Sequence, residues 1–264
     1  MLMKDKKVLV VGVANKSSIA WAIADALIRE GAQVALTYQT ERLRERVAEL
    51  ANGVSPALPL FELDVQRPET VASAFAGISE LWGGKLDGLV HSIAFAPKED
   101  LSPGIIKTPL ESWNIALHVS AYSLLQLMQS ARPLMENAGG GSVVTLTYDT
   151  SHVFPNYNLM GIAKSALEAS AKYAAWDAGR SNIRVNAVSA GPIKTLAARG
   201  ITGFTKMLDE GVRRSVLGRN VTVEEVGNTA MFLLSPWASG ITGQTVYVDA
   251  GQVITGASEE TARG

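Results

Sequence analysis

The sequence contains no cysteine, and this absence excludes several kinds of protein. It rules out a disulfide-stabilised scaffold, a thiol nucleophile and a metal site built on cysteine ligands. An excess of either charge is also missing, because 24 Lys and Arg stand against 25 Asp and Glu, a formal net charge of -1. Nothing in this balance favours binding to nucleic acid or another polyanion. We therefore expect no nucleic-acid partner and no metal.

Long hydrophobic runs are missing as well. The first apolar run, in MLMKDKKVLVVGV, ends at a glycine after about six residues. Such a run is too short for the apolar region of a signal peptide and far too short to span a bilayer. We expect a cytoplasmic protein without membrane insertion. Hydrophobic residues make up 47% of 264 residues, and no repeat, linker or change of composition divides them, which predicts one domain over residues 1–264.

The first forty residues have the pattern of a βαβ unit. A β-branched run at residues 7–12 predicts a buried strand that glycine ends, and a helix then begins near Ser17 or Ser18, either of which can cap it. Gly31 ends this helix before a second strand at residues 33–38. This order opens a dinucleotide-binding fold. We predict an α/β Rossmann-type doubly wound parallel sheet of about seven strands, with helices on both faces. The later strands are predicted at 57–65, 86–91, 139–148, 183–188 and 243–251.

Helical patterns lie between these strands. They cover residues 41–50, 68–81, roughly 109–135, a stretch that begins near Tyr157, and 222–236, where Thr222 and Glu225 have the spacing of a capping box. The amphipathic pattern over about 195–219 is interrupted by four glycines. Mobile segments that cover a substrate have this composition, and so do plain loops.

The turn after the first strand lacks the usual G-x-G-x-x-G. It runs from Gly12 to Ser18, and it can still present backbone N–H groups and the Ser18 hydroxyl to a pyrophosphate, or be a structural turn without a ligand. Gln39 follows the second strand, where its amide can bond a ribose 2′-hydroxyl, which favours NADH over NADPH. Asp64 is placed to meet an adenine edge or to cap a helix.

Tyr157 stands seven positions before Lys164, almost two helical turns, so both side chains leave one helix face. An ammonium beside a phenol lowers the phenol pKa and makes it a useful acid. The ordinary interpretation is a half-buried aromatic residue and a solvated surface lysine. His91, at a strand end, is interpreted as a packed or hydrogen-bonded histidine, because the sequence offers it no Asp or Ser relay.

These motifs together resemble the enoyl-acyl-carrier-protein reductases of bacterial fatty-acid synthesis, a branch of the short-chain dehydrogenase/reductase family. The resemblance covers nearly the whole chain and rests on VVGVANKSSIAWAIA, VHSIAFAP, PNYNLMGIAKSALEAS and SGITGQTVYVDAG, among others. It implies NADH-dependent reduction of the trans-2 double bond of a thioester carried on acyl carrier protein. Tyr157 would hydrogen-bond the enolate oxygen, and Lys164 would hold the nicotinamide ribose. It also implies a homotetramer, assembled through helices around residues 110–132 and 157–177.

The resemblance also implies which residues form the site. Catalysis would involve Tyr157, Lys164 and Tyr148. Cofactor contacts would come from Gly12, Ser18, Ile19, Gln39, Asp64, Val65, Ser92, Ile93, Ala94, Lys164, Ile193 and Thr195. The acyl chain would meet Ala96, Phe95, Tyr148, Tyr157, Met160, Ala197 and Ile201.

One departure from the family pattern lies between the two tyrosines. Eight residues, 149–156, separate them where the family has one more, and Asp149 and His152 replace small or apolar residues. A deletion at a strand end re-aims its neighbours. We expect either that Tyr148 sits differently or that Asp149 and His152 enter the pocket, while the helix keeps Tyr157 beside Lys164.

Two other functions compete with the reductase. A short-chain reductase of a ketone or other substrate would carry a serine about thirteen residues before the tyrosine, where this chain has Val144. A catalytically silent protein that only binds NADH would explain the altered loop. The intact Tyr157 and Lys164 argue against it.

Overall fold

The computed structural model describes residues 1–101, 104–195 and 203–256. Within them lies one parallel sheet of seven strands in the order β3-β2-β1-β4-β5-β6-β7. The strands are β1 Lys7–Val11, β2 Gln33–Tyr38, β3 Leu60–Glu62, β4 Gly88–His91, β5 Gly141–Thr147, β6 Ile183–Ala190 and β7 Thr245–Val248. The predicted doubly wound α/β fold is confirmed, whereas the single domain over 1–264 stays a prediction.

Helices connect the strands, as parallel strands require. They are α1 Ile19–Arg29, α2 Glu41–Asn52, α3 Pro68–Trp82, α4 Leu110–Leu117, α5 Ser123–Asn137, α6 Asn158–Ala178, α7 Phe204–Arg214 and α8 Val223–Leu234. In the described ranges, no helix is long and apolar enough to cross a membrane.

Both faces of the sheet are buried. Successive side chains of a strand point to opposite faces and pack into two different hydrophobic cores. Leu9 and Leu89 pack on one face under α3, α5 and α6. Val8, Val10 and Val90 pack on the other face under α1 and α8. The strand order reverses direction between β1 and β4, and in such sheets a ligand crevice opens at that point, beyond the carboxyl ends of the strands.

Local capping sets several helix starts as the sequence predicts. Ser18 is the N-cap of α1, and its hydroxyl accepts a hydrogen bond from the Trp21 N–H at 3.3 Å. Thr222 and Glu225 form the expected capping box, with Glu225 N–H donating to Thr222 at 3.2 Å and Thr222 N–H to Glu225 at 2.9 Å. Both bonds satisfy backbone donors that a helix start leaves free.

The helix predicted over residues 109–135 differs from the structure. It is divided into α4, a π-helical turn at His118–Tyr122, and α5. The fully buried Ser120 lies in this turn and bonds a neighbouring loop, while the Ser123 hydroxyl donates to the Val119 carbonyl at 2.7 Å. Turns of this kind are frequent at functional sites. Hydrophobic periodicity did not reveal it, because the apolar stripe continues across the extra residue.

The predicted covering segment at about 195–219 is described only in part. Residues 196–202 lie outside the described ranges, and Phe204–Arg214 form α7. Its mobility stays a prediction.

Candidate active site

The predicted cofactor residues share one edge of the sheet. Each group lies in the connection that follows the carboxyl end of a strand, or at the start of the next helix, and Lys164 reaches the end of β5 from α6. The groups are Gly12, Ser18 and Ile19 after β1, Gln39 after β2, Asp64 and Val65 after β3, Ser92, Ile93 and Ala94 after β4, and Ile193 and Thr195 after β6. The sheet therefore brings together residues that the sequence scatters over about 180 positions.

Gly12 sits where β1 and β4 come closest to the crevice. Its φ is +107°, and a Cβ built there would lie 2.1 Å from the Ser92 carbonyl oxygen. Only glycine lets this turn pass so close to the backbone after β4. The turn then delivers the chain to Ser18 and to the N–H groups at the start of α1, a position suited to an anionic group such as a pyrophosphate.

Gly12→Ala is expected to lower the free energy of unfolding by about 1–3 kcal/mol and to weaken NADH binding, because the added methyl strains φ and pushes Ser92 away. Denaturant unfolding and NADH fluorescence titration measure the two effects. Gly139→Ala is the matched control, since its φ of +87° is strained while nothing lies within 4 Å of the added carbon. Equal NADH affinity in both variants would contradict the role given to Gly12.

The edge predicted to hold adenosine carries arginines that are already paired. Arg44 bonds Glu41 at 2.8 Å, and Arg67 bonds Glu62 and the carbonyl of the exposed Gln39. These carboxylates raise the pKa of both guanidinium groups. Because each is already paired with a carboxylate, these two arginines offer less attraction to a 2′-phosphate, in line with NADH as the cofactor.

Asp64 lies on the same edge and does not cap α3. The N-cap of that helix is Arg67, and the Asp64 carboxylate accepts from the Gln66 N–H at 3.0 Å. Its side chain is 14% exposed at the mouth of the crevice. This placement leaves the adenine role as a proposal and excludes the alternative of a helix cap.

Ser120, which lies on the helix predicted over about 109–135, contacts the site through a bond that the sequence does not reveal. Its hydroxyl accepts from the Phe95 N–H at 2.9 Å and donates to the Phe95 carbonyl at 3.0 Å. It thereby fixes the turn after β4 that carries both cofactor and acyl-chain candidates. A serine in the apolar face of a predicted helix was the available signal.

Lys164 is buried, so the interpretation as a solvated surface lysine is wrong. Its side chain is 7% exposed, and its ammonium donates to the Leu146 carbonyl at 2.7 Å. Burial lowers the pKa of Lys164 to about 8, against the opposing effect of Glu168. A buried lysine with a lowered pKa is a candidate functional group.

Tyr157 is the N-cap residue of α6 and stands directly before its first turn. Burial, with a smaller contribution from Tyr148, raises its pKa above the ordinary value. The expectation that Lys164 lowers the pKa of this phenol is therefore wrong, because burial and Tyr148 both raise it. The phenol stays protonated at neutral pH, as a hydrogen-bond donor must.

The two tyrosines are in contact. The Tyr148 ring packs edge-on against Tyr157, with centroids 5.3 Å apart, and against Phe154 at 4.8 Å. Tyr157 also packs on a small apolar cluster with Met160 and Ala96, both predicted to line the acyl pocket. Phe95 is 49% exposed beside them. The remaining two acyl-chain candidates, Ala197 and Ile201, lie outside the described residues.

Asp149 and His152 form a local turn in the short loop. Asp149 accepts from the Ser151 N–H at 2.9 Å and lies 2.9 Å from His152 Nδ1. Ser151 approaches that same nitrogen, so the three residues do not have the arrangement of a hydrolytic relay, which uses both ring nitrogens. His152 is largely exposed, whereas Asp149 lines a cavity of about 20 Å³ beside Tyr148. Of the two, Asp149 is the one placed next to the pocket.

His91 is fully buried and hydrogen-bonded, as the sequence analysis predicts. The Ser123 hydroxyl donates to Val119, so it accepts from His91 Nε2, and Nδ1 accepts from Thr145 at 2.7 Å. This network stabilises the neutral imidazole. Burial lowers the pKa of His91 from 6.5 to about 3.

Stability is therefore expected to fall as pH drops below 6.5, the ordinary pKa of the histidine. In that range the unfolded chain takes up a proton that the native chain does not, and the loss reaches about 2 kcal/mol near pH 5. Urea unfolding at several pH values measures it. His91→Gln should remove this part of the slope and the exposed His152→Gln should keep it; an unchanged slope in His91→Gln would contradict the assignment.

No group of three or more potential metal ligands occurs among the residues that the structure describes. Val144, where a ketone reductase would place its serine, is fully buried inside β5. Neither finding adds a reactive group to Tyr157 and Lys164.

Comparisons with known proteins identify the family of this chain. The profile of the family described as "Enoyl-(Acyl carrier protein) reductase" matches residues 12–252. The NADH-type enoyl-acyl-carrier-protein reductase of Rickettsia prowazekii is 47% identical over 98% of both chains. The crystal structure of the Aquifex aeolicus enzyme is 45% identical, with a TM-score of 0.93, and covers 97% of this chain and 100% of its own. The Anaplasma phagocytophilum reductase, solved in complex with NAD, is 43% identical with a TM-score of 0.93, and 98% and 97% of the two chains are covered.

Proposed function

This chain belongs to the enoyl-(acyl carrier protein) reductase family, and we infer that it reduces the trans-2 double bond of enoyl-acyl-carrier-protein thioesters with NADH. The reaction is a step of fatty-acid elongation. The observation that carries this function is that a partly buried, protonated Tyr157 caps the helix that carries the buried Lys164, at the carboxyl edge of a dinucleotide-binding sheet.

The residues present fit a nicotinamide dinucleotide. Gly12 brings the turn against Ser92, the start of α1 faces the crevice, and two arginines near Gln39, Arg44 and Arg67, are ion-paired with carboxylates. When bound, NADH supplies the hydride that adds to C3 of the enoyl group. The protein contributes binding, orientation and electrostatics.

Tyr157 would donate a hydrogen bond to the thioester oxygen. Negative charge accumulates on that oxygen as the enolate forms, so the bond is stronger in the transition state than in the substrate. Burial keeps the phenol protonated for this purpose. The proton that C2 still needs comes through Tyr157 or from solvent relayed to it.

Lys164 would bind the hydroxyls of the nicotinamide ribose. Its ammonium already donates to Leu146, and it has further N–H donors for ribose. Its charge also favours electron density on the nearby thioester oxygen. The low pKa means that this role weakens above about pH 8.

The test follows NADH absorbance with purified protein and a trans-2-enoyl thioester, crotonyl or dodecenoyl, alongside a ketone of similar size. Consumption with the thioester and not with the ketone supports the proposed function. Consumption with the ketone alone would identify a different short-chain reductase. NADH binding without consumption of any substrate would identify a silent binding protein.

We further propose acyl carrier protein as the carrier of the substrate, a homotetramer as the assembly and the cytoplasm as the location. Large exposed side chains on α6 support the assembly, with Tyr173 78% and Trp176 83% exposed. Large exposed apolar side chains close together on one helix are typical of protein interfaces. Light scattering measures the mass, and cell fractionation tests the location.

A further inference from the structure

The end of β5 is held by two charged side chains of α6, one turn apart. Lys164 donates to the carbonyl of Leu146, and the carboxylate of Glu168 accepts from the hydroxyl of Thr147 at 2.9 Å. Leu146 and Thr147 are consecutive, and Tyr148 comes next. The two charged side chains of α6 therefore hold the two residues that come directly before Tyr148.

The second carboxylate oxygen of Glu168 binds the short loop between the two tyrosines. It accepts from the Thr150 hydroxyl at 3.0 Å. One carboxylate thus joins the middle of α6 to the strand end before Tyr148 and to the loop after it. Since the Tyr148 ring packs against Tyr157, a shift of this loop would reach both aromatic rings.

The negative charge of Glu168 also attracts the ammonium of Lys164. The two residues have the i, i+4 spacing that brings side chains together on a helix. Within the described residues, two titratable groups interact with Lys164: Glu168, which favours its charged form, and His91 on β4, which burial keeps neutral. Burial works against the ammonium, and Glu168 partly offsets it.

We propose that Glu168 is a positioning residue, which holds Tyr148 in place through Thr147 and Thr150 and keeps Lys164 in its ammonium form. The part of this inference that concerns turnover rests on the proposed function. The charge effect concerns NADH binding and does not depend on reduction of any substrate.

The test compares Glu168→Gln with the wild-type protein across pH. The amide keeps the size of the side chain and can still bond threonine hydroxyls, but it removes the negative charge. NADH affinity, measured by fluorescence, should fall at alkaline pH as Lys164 loses its proton, and we call this fall the alkaline limb. In Glu168→Gln the midpoint of the alkaline limb is expected to lie about one pH unit lower, the shift typical of losing a close opposite charge. At about pH 8 this corresponds to roughly fivefold weaker binding, with little change near pH 6.5. The same limb should appear in kcat/KM with an enoyl thioester.

Two further variants separate charge from hydrogen bonding. Thr147→Val combined with Thr150→Val keeps the carboxylate and frees the loop, so kcat should fall while the alkaline limb stays in place. Glu80→Gln, an exposed carboxylate on α3, should change neither. An unmoved limb in Glu168→Gln, or the same shift in the double threonine variant, would overturn the proposal.

Glu168→Asp keeps the proposal testable if Glu168→Gln fails to fold. The shorter carboxylate retains the charge and loses reach to the threonines, so the limb should remain within a few tenths of a pH unit of wild type and kcat should drop. A limb displaced as far as one unit would contradict the charge role. Failure of the wild-type protein to reduce any enoyl thioester would refute the proposed function instead, while NADH binding would still report on Glu168.

Discussion

Tyr157→Phe is expected to lower kcat for the enoyl thioester by about 10²–10³-fold, with NADH binding unchanged. The variant loses one hydroxyl, and a single donor to a developing oxyanion contributes about this much in comparable sites. Phenylalanine retains the ring that packs against Tyr148 and the Met160 cluster, so the fold should persist. Steady-state kinetics and NADH fluorescence titration give the two quantities.

The matched control is Tyr173→Phe. Tyr173 lies on the same helix, is 78% exposed and contacts neither Tyr148 nor the apolar cluster in the described structure. Its kcat should remain within about twofold of wild type, because phenylalanine keeps the ring that the proposed assembly surface uses. A Tyr157→Phe variant that keeps wild-type kcat would mean that another group stabilises the enolate.

Lys164→Met is expected to weaken NADH binding by about tenfold to a hundredfold, the effect of losing charge-assisted hydrogen bonds worth about 1.5–3 kcal/mol. Methionine is similar in length and suits a buried site. Because burial already disfavours the ammonium, its replacement by an apolar side chain should leave the thermal unfolding temperature the same or higher. Opposite effects on binding and stability are the signature of a lysine retained for function.

Lys172→Met is the matched control for Lys164→Met. Lys172 is exposed two turns further along α6, so neither NADH binding nor stability should change measurably. Should Lys164→Met destabilise the protein and leave NADH binding intact, the bond to Leu146 would be the main role of Lys164 and the binding role would be wrong.

Local sequence determined the features that depend on near neighbours. The caps at Ser18 and Thr222, the stop before Gly31 and the β-branched strands could be predicted because the interacting atoms lie within a few residues of each other. From these, the parallel order of strands and the edge that gathers the cofactor candidates follow by the rules for βαβ connections.

Features that depend on distant contacts could not be predicted in this way. The π-helical turn places the Ser120 hydroxyl against the backbone of Phe95, 25 positions earlier. The direction of the pKa change at Tyr157 depends on how deeply the fold buries it, which the spacing to Lys164 does not reveal. In the sequence Glu168 is one of many helical glutamates, and only the fold brings it within hydrogen-bonding distance of Thr147 and Thr150.

The short loop at residues 149–156 could be predicted from the sequence only in part. Its shorter length is visible in the sequence, and the structure shows Asp149 beside Tyr148 and His152 at the surface. Asp149 and burial both raise the pKa of Tyr148. Tyr148 is thus a protonated neighbour of Tyr157, and its place in catalysis stays a prediction.

The central claim is that Tyr157 stabilises an enolate formed by hydride addition at C3. The most direct measurement incubates the protein with a trans-2-enoyl-acyl-carrier-protein thioester and NADH deuterated on the transferred position, and locates the label by mass spectrometry. The account predicts one deuterium at C3, none at C2, and almost no labelled product with Tyr157→Phe. Label at C2, or full labelling by the phenylalanine variant, would contradict it.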